Sequence, residues 1–242
     1  MSLEQFLENI TEEDLKKLQE EYYKKQNKIP TYQYSKIRDI ELESVVDIEK
    51  VIDKTKFKEW FQNSDISDET TQFLENLIVE NEDLIEDYNE EDLKVYFIIP
   101  LLNKVNFKMN DKNIRGFYEH KLTYKADKFI FTGTTDFVVS KGLLKSKKPY
   151  FFLQEFKRSE DFSNPRPQLL AELISAVELN GWNTIKGTYV IGSNWYFVIL
   201  DKVDKNKYKY YVSKPFNSLN LIDLKKIYSN LLFVKNEILK GL

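Results

Sequence analysis

The feature that most constrains the fold of this chain is a strand-like run of apolar residues that ends in charged ones. Residues 150–157 read Tyr-Phe-Phe-Leu-Gln-Glu-Phe-Lys, and a lysine-rich turn separates them from residues 133–138, which read Gly-Thr-Thr-Asp-Phe-Val. A run this apolar belongs in the interior of a sheet, where a charged side chain is costly unless it is paired or metal-bound. Side chains alternate between the faces of a strand, so Glu155 and Lys157 share a face. If the two segments pair through the turn, Asp136 comes near Glu155.

Two carboxylates and a lysine on adjacent strands are a minimal set for holding a divalent metal beside a phosphate. Asp136 and Glu155 offer hard oxygen ligands, which suit Mg²⁺ or Mn²⁺ because these ions keep several waters and take one or two protein carboxylates. Such an ion polarises a phosphate and generates a hydroxide nucleophile. The Lys157 ammonium would stabilise developing charge, or orient and deprotonate the water. The pattern therefore predicts a metal-dependent nuclease or a descendant of one.

The same residues also have simpler interpretations, which stay open at this point. A Glu-x-Lys sequence on a strand commonly marks two solvated side chains on an open face. Where the strand is interior, Glu155 and Lys157 can instead form a buried structural ion pair. Placement of Asp136 and Glu155 on opposite sides of the sheet would rule out the metal site.

Composition excludes several classes of site. The 242 residues are 42% hydrophobic and 14% aromatic, which is typical of a globular chain large enough to bury a core. There is no cysteine, so disulfides and thiolate zinc sites are excluded, and the single histidine, His120, argues against histidine-based nucleases. No apolar run is long enough to cross a bilayer and the N-terminus is unlike a signal peptide, so we expect a cytoplasmic protein.

Charge is distributed unevenly, although the net charge is only −3. Residues 1–95 hold 12 Lys and Arg against 26 Asp and Glu, a net −14, whereas residues 96–242 stand at +11. A basic half is what phosphate binding needs. Lysine-rich turns are also ordinary solvated surface, and this alternative stays open. The basic residues that we select as candidate nucleic-acid contacts are Lys147, Lys148, Arg158 and Arg166.

The order of predicted elements indicates an α/β fold. Residues 1–88 form an acidic, mostly helical N-terminal region with predicted helices at 3–26 and from Ser67 to about Tyr88. Helix, strands, helix, strands and helix then predict a sandwich with a central mixed sheet, packed with the N-terminal region as one unit. The elements predicted within residues 89–242 are a helix capped by Asn89 and kinked or ended near Ile99 by Pro100, strands at 115–124, 128–140 and 150–158, a helix from Pro165 to about Asn180, strands at 187–191, 195–200 and 208–212, and a final helix after Asn220.

Four segments of the chain carry a resemblance to a known group of proteins. They are the helix at 89–102, Gly-Thr-Thr-Asp at 133–136, Glu-Phe-Lys at 155–157 and Pro-Gln-Leu-Leu-Ala-Glu at 167–172. In this order they resemble the PD-(D/E)XK nucleases, the restriction-endonuclease-like superfamily, and more closely bacterial members with a helical N-terminal extension. The resemblance spans roughly residues 57–242. Glu90 fits the acidic position of the first helix best, Glu91 is a register alternative, and Thr135 replaces the proline of the family name, a common departure.

The resemblance implies a restriction-endonuclease-like α/β/α core that hydrolyses phosphodiester bonds with Mg²⁺ or Mn²⁺. It implies that Asp136 and Glu155 are metal ligands, with the Phe156 backbone carbonyl as a third, and that Lys157 orients the attacking water. From the flanking helices, Glu90 would contact metal or water indirectly, and Gln168 would position water or phosphate. The catalytic residues implied in this way are Asp136, Glu155, Lys157, Gln168 and Glu90.

The expected partner is nucleic acid, DNA in the first instance, and no membrane. The same superfamily includes members without catalysis, so the alternative is an inactive nuclease-like fold that serves as a nucleic-acid-binding or protein-binding module. The acidic residues 1–88 would cover the basic half, mimic nucleic acid, bind a protein partner or support a homodimer.

Overall fold

The computed structural model describes residues 11, 14–15, 17–18, 21–22, 29–53, 55–62, 65–158 and 164–241. Most of the helix predicted at 3–26 lies outside these residues. Its described members 14–15, 17–18 and 21–22 are helical. Within the described residues, no helix combines the length and the apolar character needed to cross a membrane.

Helices and strands alternate along most of the chain. The helices are α1 (Asp39–Val45), α2 (Asp68–Val79), α3 (Glu90–Asp92), a π-helical segment (Leu93–Ile98), α4 (Ile99–Val105), α5 (Pro165–Asn180) and α6 (Leu221–Lys240). The segments from α3 to α4 follow one another without a break and are called the 90–105 helix. The strands are β1 (Thr31–Gln33), β2 (Asp47–Lys50), β3 (Ile114–Lys125), β4 (Ile130–Lys141), β5 (Lys147–Lys157), β6 (Thr184–Ile191), β7 (Asn194–Asp204), β8 (Lys207–Val212) and β9 (Phe216–Asn217).

The described strands form one mixed sheet, which confirms the predicted α/β class with a central mixed sheet. Its order is β1-β4-β5-β6-β7-β8-β2, with β3 also paired to β4 and β9 paired to β7. Strand β4 is antiparallel to β3 and β5, and β5 is parallel to β6. Strand β5 therefore lies inside the sheet, as its apolar sequence predicts.

Helices cover both faces of the sheet, and the alternation of side chains along each strand divides the interior into two cores. Phe137 and Val139 of β4 belong to the core beneath α2, the 90–105 helix and α6. Val138, between them, belongs to the core beneath α1 and α5. Two layers of helices therefore face the same strands from opposite sides.

The acidic N-terminal region contributes strands as well as helices. Strand β1 runs parallel to β4, and β2 runs parallel to β8 at the far edge of the sheet. Both strands are short and half exposed, so their sequences show little of the apolar alternation from which a strand is predicted. The sheet therefore begins well before residue 89.

Polar caps begin the helices where the sequence predicts them. The Asn89 side chain accepts a hydrogen bond from the Asp92 N–H, and Asn220 accepts from the N–H groups of Ile222 and Asp223. Ser67 caps α2 in the same way through the Thr70 N–H. Each cap satisfies a backbone donor that the first helical turn leaves unpaired.

Two predicted helix ends are wrong. Helix α2 ends at Val79 and not near Tyr88, because turns follow it. Pro100 does not end the 90–105 helix near Ile99, because the helix continues to Val105. The π-helical turn before it, in which the Ile99 N–H donates to the carbonyl of Lys94, widens the backbone where the proline ring needs room.

Candidate active site at a fork in the sheet

The predicted site residues meet where β4 and β5 separate. The ladder between these strands ends at the pair Phe137 and Gln154. Strand β5 continues to Lys157 along β6, while β4 is joined further on by β1. Asp136 and Glu155 are the next residues beyond the last pair, so they face each other across an opening that we call the fork.

Asp136 and Glu155 brace the two strands of the fork against each other. The Asp136 backbone N–H donates to Glu155 Oε1 at 3.2 Å, and the Phe156 N–H donates to Asp136 Oδ2 at 2.8 Å. These carboxylate oxygens replace the carbonyl partners that the diverging ladder no longer supplies, so the buried backbone donors stay satisfied. Both carboxylates are buried, Glu155 completely. Their positions are fixed by main chain and not by flexible contacts.

Helix α5 adds an amide and a third carboxyl from one layer. Gln168 Nε2 donates to Glu155 Oε2 at 2.7 Å and lies 3.3 Å from Glu172 Oε1. Gln168 and Glu172 are one turn apart, which places them on the same side of the helix. Gln168 therefore links Glu155 to Glu172, and all three side chains are buried.

Burial and mutual repulsion keep a proton in this part of the site. Burial raises the pKa of Glu155 well above its usual range, and the charges of Glu172 and Asp136 raise it further. Burial also raises the pKa of Glu172, to about 8. Two carboxylates have no donor between them, so the contact between Glu155 and Glu172 is a hydrogen bond only when one of the two carboxyls is protonated. At neutral pH the metal-free pair holds at least one proton.

Lys157 reaches Glu90 on the 90–105 helix. Its Nζ lies 3.2 and 3.3 Å from the two carboxylate oxygens of Glu90. Burial alone would lower the pKa of Lys157, but Asp136, Glu155 and Glu90 raise it above its usual range. The side chain is therefore an ammonium at neutral pH, which suits it to stabilise charge and not to act as a base.

Lys94 is a site residue that sequence reasoning did not find. Its Nζ lies 3.0 Å from Asp136 Oδ1 and 3.2 Å from Glu119 Oε1, and 3.4 and 3.5 Å from Glu90 Oε1 and Glu91 Oε1. The residue is only 7% exposed. A signal for it exists in the sequence, because Lys94 is the only Lys or Arg between residues 59 and 103 and follows Glu90 by one helical turn. We call Glu90, Lys94, Asp136, Glu155, Lys157, Gln168 and Glu172 the fork cluster.

Glu119 was also missed, and its backbone is unusual. Its neighbours in β3 pair regularly with β4, and the register places Glu119 opposite Asp136. Its φ is +48°, a left-handed conformation that costs a non-glycine residue about 1 kcal/mol or more. The strained residue brings its carboxylate to Lys94 at the edge of the fork.

The predicted nucleic-acid contacts are not gathered at the fork. Lys147 begins β5 and Lys157 ends it, and eleven extended residues separate these side chains by roughly 33 Å. Lys148 is exposed beside Lys147. Arg158 follows Lys157 directly and donates to the Glu86 carbonyl at 3.3 Å.

Arg166 sits close to the fork in the chain but is engaged elsewhere. It is the second residue of α5 and forms an ion pair with Asp39 of α1, at 2.5 Å between Nη2 and Oδ2. Burial would lower the pKa of Arg166, but its bond to Asp39 and the Asp39 charge contribute to raising it. The guanidinium is therefore placed to join two helices on the same face of the sheet.

The donor set of the fork suits a hard divalent cation. Within the described residues, no group of three or more Asp, Glu or His side chains is arranged to hold a metal. An ion here would therefore be held by Asp136 and Glu155 with backbone and water, and Mg²⁺ and Mn²⁺ accept such a shell. In the part of the chain that the structure describes, the buried Glu172 Oε2 has no hydrogen-bond partner, which leaves it able to accept from a water of such an ion. A zinc site built from Cys and His needs sulfur and nitrogen ligands, and the fork cluster contains neither residue type.

No protein-family model matches the chain, and no curated protein matches it. What the fork cluster can do follows from its own arrangement: two fixed carboxylates, two ammonium groups and one amide at an opening between strands.

Proposed function

We propose that this protein is a metal-dependent phosphodiester hydrolase that acts on nucleic acid, DNA in the first instance, at the fork. One observation carries the proposal. The five residues selected from sequence motifs come from four separate elements, and Lys94 joins them into a single chain of contacts by pairing with both Glu90 and Asp136. They are Glu90 of the 90–105 helix, Asp136 of β4, Glu155 and Lys157 of β5, and Gln168 of α5.

The order of elements around the fork supports a restriction-endonuclease-like core. A helix precedes three antiparallel strands, β3 to β5, and α5 then leads to β6, which pairs parallel with β5. The aspartate lies on the middle strand and the Glu-x-Lys element on the next one. The likeness is one of topology and motif placement, and the site chemistry has to be argued separately.

The residues of the fork would divide the chemistry among them. A Mg²⁺ or Mn²⁺ ion held by Asp136, Glu155 and the Phe156 carbonyl would supply Lewis-acid charge to the phosphate and an acidified water. Gln168 holds one oxygen of Glu155 and thereby directs the carboxylate into the fork. Lys157 would donate to a phosphate oxygen as negative charge develops on it.

Glu90 would act through Lys157. Its carboxylate holds the Lys157 ammonium with both oxygens, which limits the rotamers open to a long side chain. Within the described residues, Glu91 pairs with Lys94 and not with Lys157, and its side chain is 77% exposed. The geometry therefore favours Glu90 over its register alternative as the positioning carboxylate.

A second candidate function rests on the same cluster. Lys94 neutralises Asp136, and Glu155 shares a proton with Glu172. The negative charge of these carboxyls is therefore balanced without a metal. A nuclease-like fold that has lost catalysis and binds nucleic acid or protein would keep this network because the network stabilises the fold. This alternative predicts binding without turnover.

Metal-dependent cleavage tests the proposal. Labelled double-stranded DNA, single-stranded DNA and RNA are incubated with Mg²⁺ or Mn²⁺ and with wild type or Lys157→Ala. We expect cleavage that EDTA abolishes and that the variant slows by about 10²–10³, the usual cost of losing one donor to transition-state charge.

The matched control is Lys202→Ala. Lys202 is likewise a partly buried strand lysine, ion-paired with Glu178 at 2.9 Å and outside the fork cluster. Its variant should cleave as wild type does. Equal cleavage by Lys157→Ala and Lys202→Ala would contradict the proposed site. Tight binding of nucleic acid by all three proteins without any cleavage would favour the binding module.

A further inference from the structure

Lys94 occupies the centre of the acidic side of the fork. Four carboxylates surround its ammonium at 3.0 to 3.5 Å, and they come from three directions: Asp136 on β4, Glu119 on β3, and Glu90 and Glu91 on its own helix. The Phe156 ring lies 5.9 Å from the same nitrogen. A single positive charge thus sits where several oxygen donors converge.

The contact of Lys94 with Asp136 matters most, because each carboxylate oxygen of Asp136 already accepts a hydrogen bond. Its Oδ2 accepts the Phe156 N–H and its Oδ1 accepts the Lys94 ammonium. A cation that took Asp136 as a ligand in the way proposed above would have to share or replace one of these contacts. The backbone bond braces the fork, whereas Lys94 is a side chain with four rotatable bonds. Lys94 is the partner that can move.

We propose that Lys94 is an internal counterion of the metal-free site and that a divalent cation displaces it from Asp136 on binding. The inference rests on the proposed function. Lys94 and Lys157 both contact Oε1 of Glu90, at 3.4 and 3.2 Å. A displaced Lys94 therefore stays beside Glu90 and Lys157, where a second ammonium would meet the phosphate.

Two consequences distinguish a displaceable counterion from a structural salt bridge. Lys94 competes with the cation, so its removal should strengthen metal binding. The metal-free site needs its charge, so the same removal should destabilise the metal-free protein, and metal should restore that stability. A structural salt bridge predicts the loss of stability alone.

The experiment uses Lys94→Met, which keeps the length and apolar stem of the side chain and removes its charge. Mn²⁺ is titrated into the full-length protein by calorimetry, and Tm is measured with EDTA and with saturating Mn²⁺. We expect the Mn²⁺ dissociation constant of Lys94→Met to fall about tenfold below that of wild type. We also expect its Tm to be lower than wild type in EDTA and to rise more with Mn²⁺.

The matched control is Lys104→Met on the same 90–105 helix. Lys104 pairs with Glu69 at 2.9 Å and lies outside the fork cluster, so its variant should bind Mn²⁺ with wild-type affinity. Unchanged or weaker Mn²⁺ binding by Lys94→Met, beside normal binding by wild type, would overturn this inference alone. Absence of Mn²⁺ binding in all three proteins would overturn both the inference and the metal-dependent mechanism.

Discussion

At the scale of single residues, the fork shows how burial and a neighbouring carboxyl together raise the pKa of a glutamate. Glu155 and Glu172 are both inaccessible to solvent and lie in contact, so ionising both is unfavourable. Gln168 donates to both and cannot neutralise either. In the metal-free protein a proton neutralises one of these two carboxyls, and in the proposed enzyme a cation offsets their negative charge.

The shared proton predicts that stability depends on pH. A carboxyl whose folded pKa is raised binds its proton more tightly in the folded state, so stability is greatest below the unfolded value and falls as pH rises towards the folded one. For Glu172 this window runs from its ordinary 4.5 to about 8. In EDTA, the free energy of unfolding of wild type should decline across the window by up to about 1.4 kcal/mol per pH unit for each proton.

Glu172→Gln tests this dependence, because glutamine keeps the shape and cannot titrate. Urea unfolding from pH 5 to pH 8 should show a shallower decline for the variant than for wild type, so the variant gains relative stability at pH 8. Glu49→Gln, at an exposed position of β2, should keep the wild-type slope. Parallel slopes for Glu172→Gln and wild type would show that Glu172 does not hold the proton.

At the scale of elements, the fork depends on where neighbouring strands stop pairing. Strand β1 joins β4 over residues 130–132, and its continuation at Tyr34 packs against Gly133. The buried Tyr34 hydroxyl donates to Ser175 Oγ of α5 at 2.8 Å, which holds the ring in place. The side of the fork opposite β5 is therefore closed by a ring that presses on a glycine three residues before Asp136.

Gly133→Ala should disturb this arrangement. Gly133 has φ +155°, and a Cβ there would lie 2.8 Å from Tyr34 Cδ2. Because the Tyr34 ring is buried and hydrogen-bonded, we expect the free energy of unfolding to fall by about 1–3 kcal/mol beyond the cost of the backbone conformation. Denaturant unfolding measures the change.

Gly181→Ala is the control for the backbone contribution. Gly181 ends α5 at φ +70°, and a Cβ there would have no heavy atom within 4 Å. This variant should cost about 1 kcal/mol through backbone conformation alone. An equal loss from the two substitutions would show that Tyr34 does not press on β4.

Elements were predicted better than the contacts between them. Strands β3 to β5, the helix from Pro165 to Asn180 and the final helix follow from apolar periodicity, prolines and asparagine caps, which are local signals. Strands β1 and β2 and the π-helical turn were not predicted, because short half-exposed strands and a widened helix leave little local pattern. The approach of Asp136 to Glu155 follows from register, which a single turn sets.

The contacts of Lys94 and Glu119 depend on the fork, and no local sequence pattern predicts a fork. Lys94 belongs to the helical layer opposite α5, and it reaches Asp136 because the β4–β5 ladder ends at Phe137. Glu119 reaches the site through a left-handed backbone that its sequence does not signal. Both contacts arise from three elements meeting, so they appear only in the assembled structure.

At the scale of the whole molecule, the charge asymmetry does not separate along the chain as cleanly as the sequence suggests. Acidic residues 1–95 supply Glu90, Glu91 and Lys94 to the site itself, and β1 and β2 to the sheet. Removing residues 1–88 would therefore remove part of the fold. A role of this region in covering the basic half, in binding a partner or in dimerisation is better tested by charge substitutions than by deletion.

The most direct measurement of the central claim is the rate at which Glu155→Gln cleaves DNA in Mn²⁺. Glutamine keeps the shape of Glu155, and its oxygen can still accept from the Asp136 N–H, but its NH2 group cannot accept from Gln168, so the variant should fold with a lower Tm in EDTA. Glutamine is a poor ligand for a hard cation, so we predict a loss of at least about a hundredfold in rate at a temperature at which the variant is fully folded. Cleavage at the wild-type rate by the folded variant would contradict the assignment of the fork as a metal-dependent phosphodiesterase site.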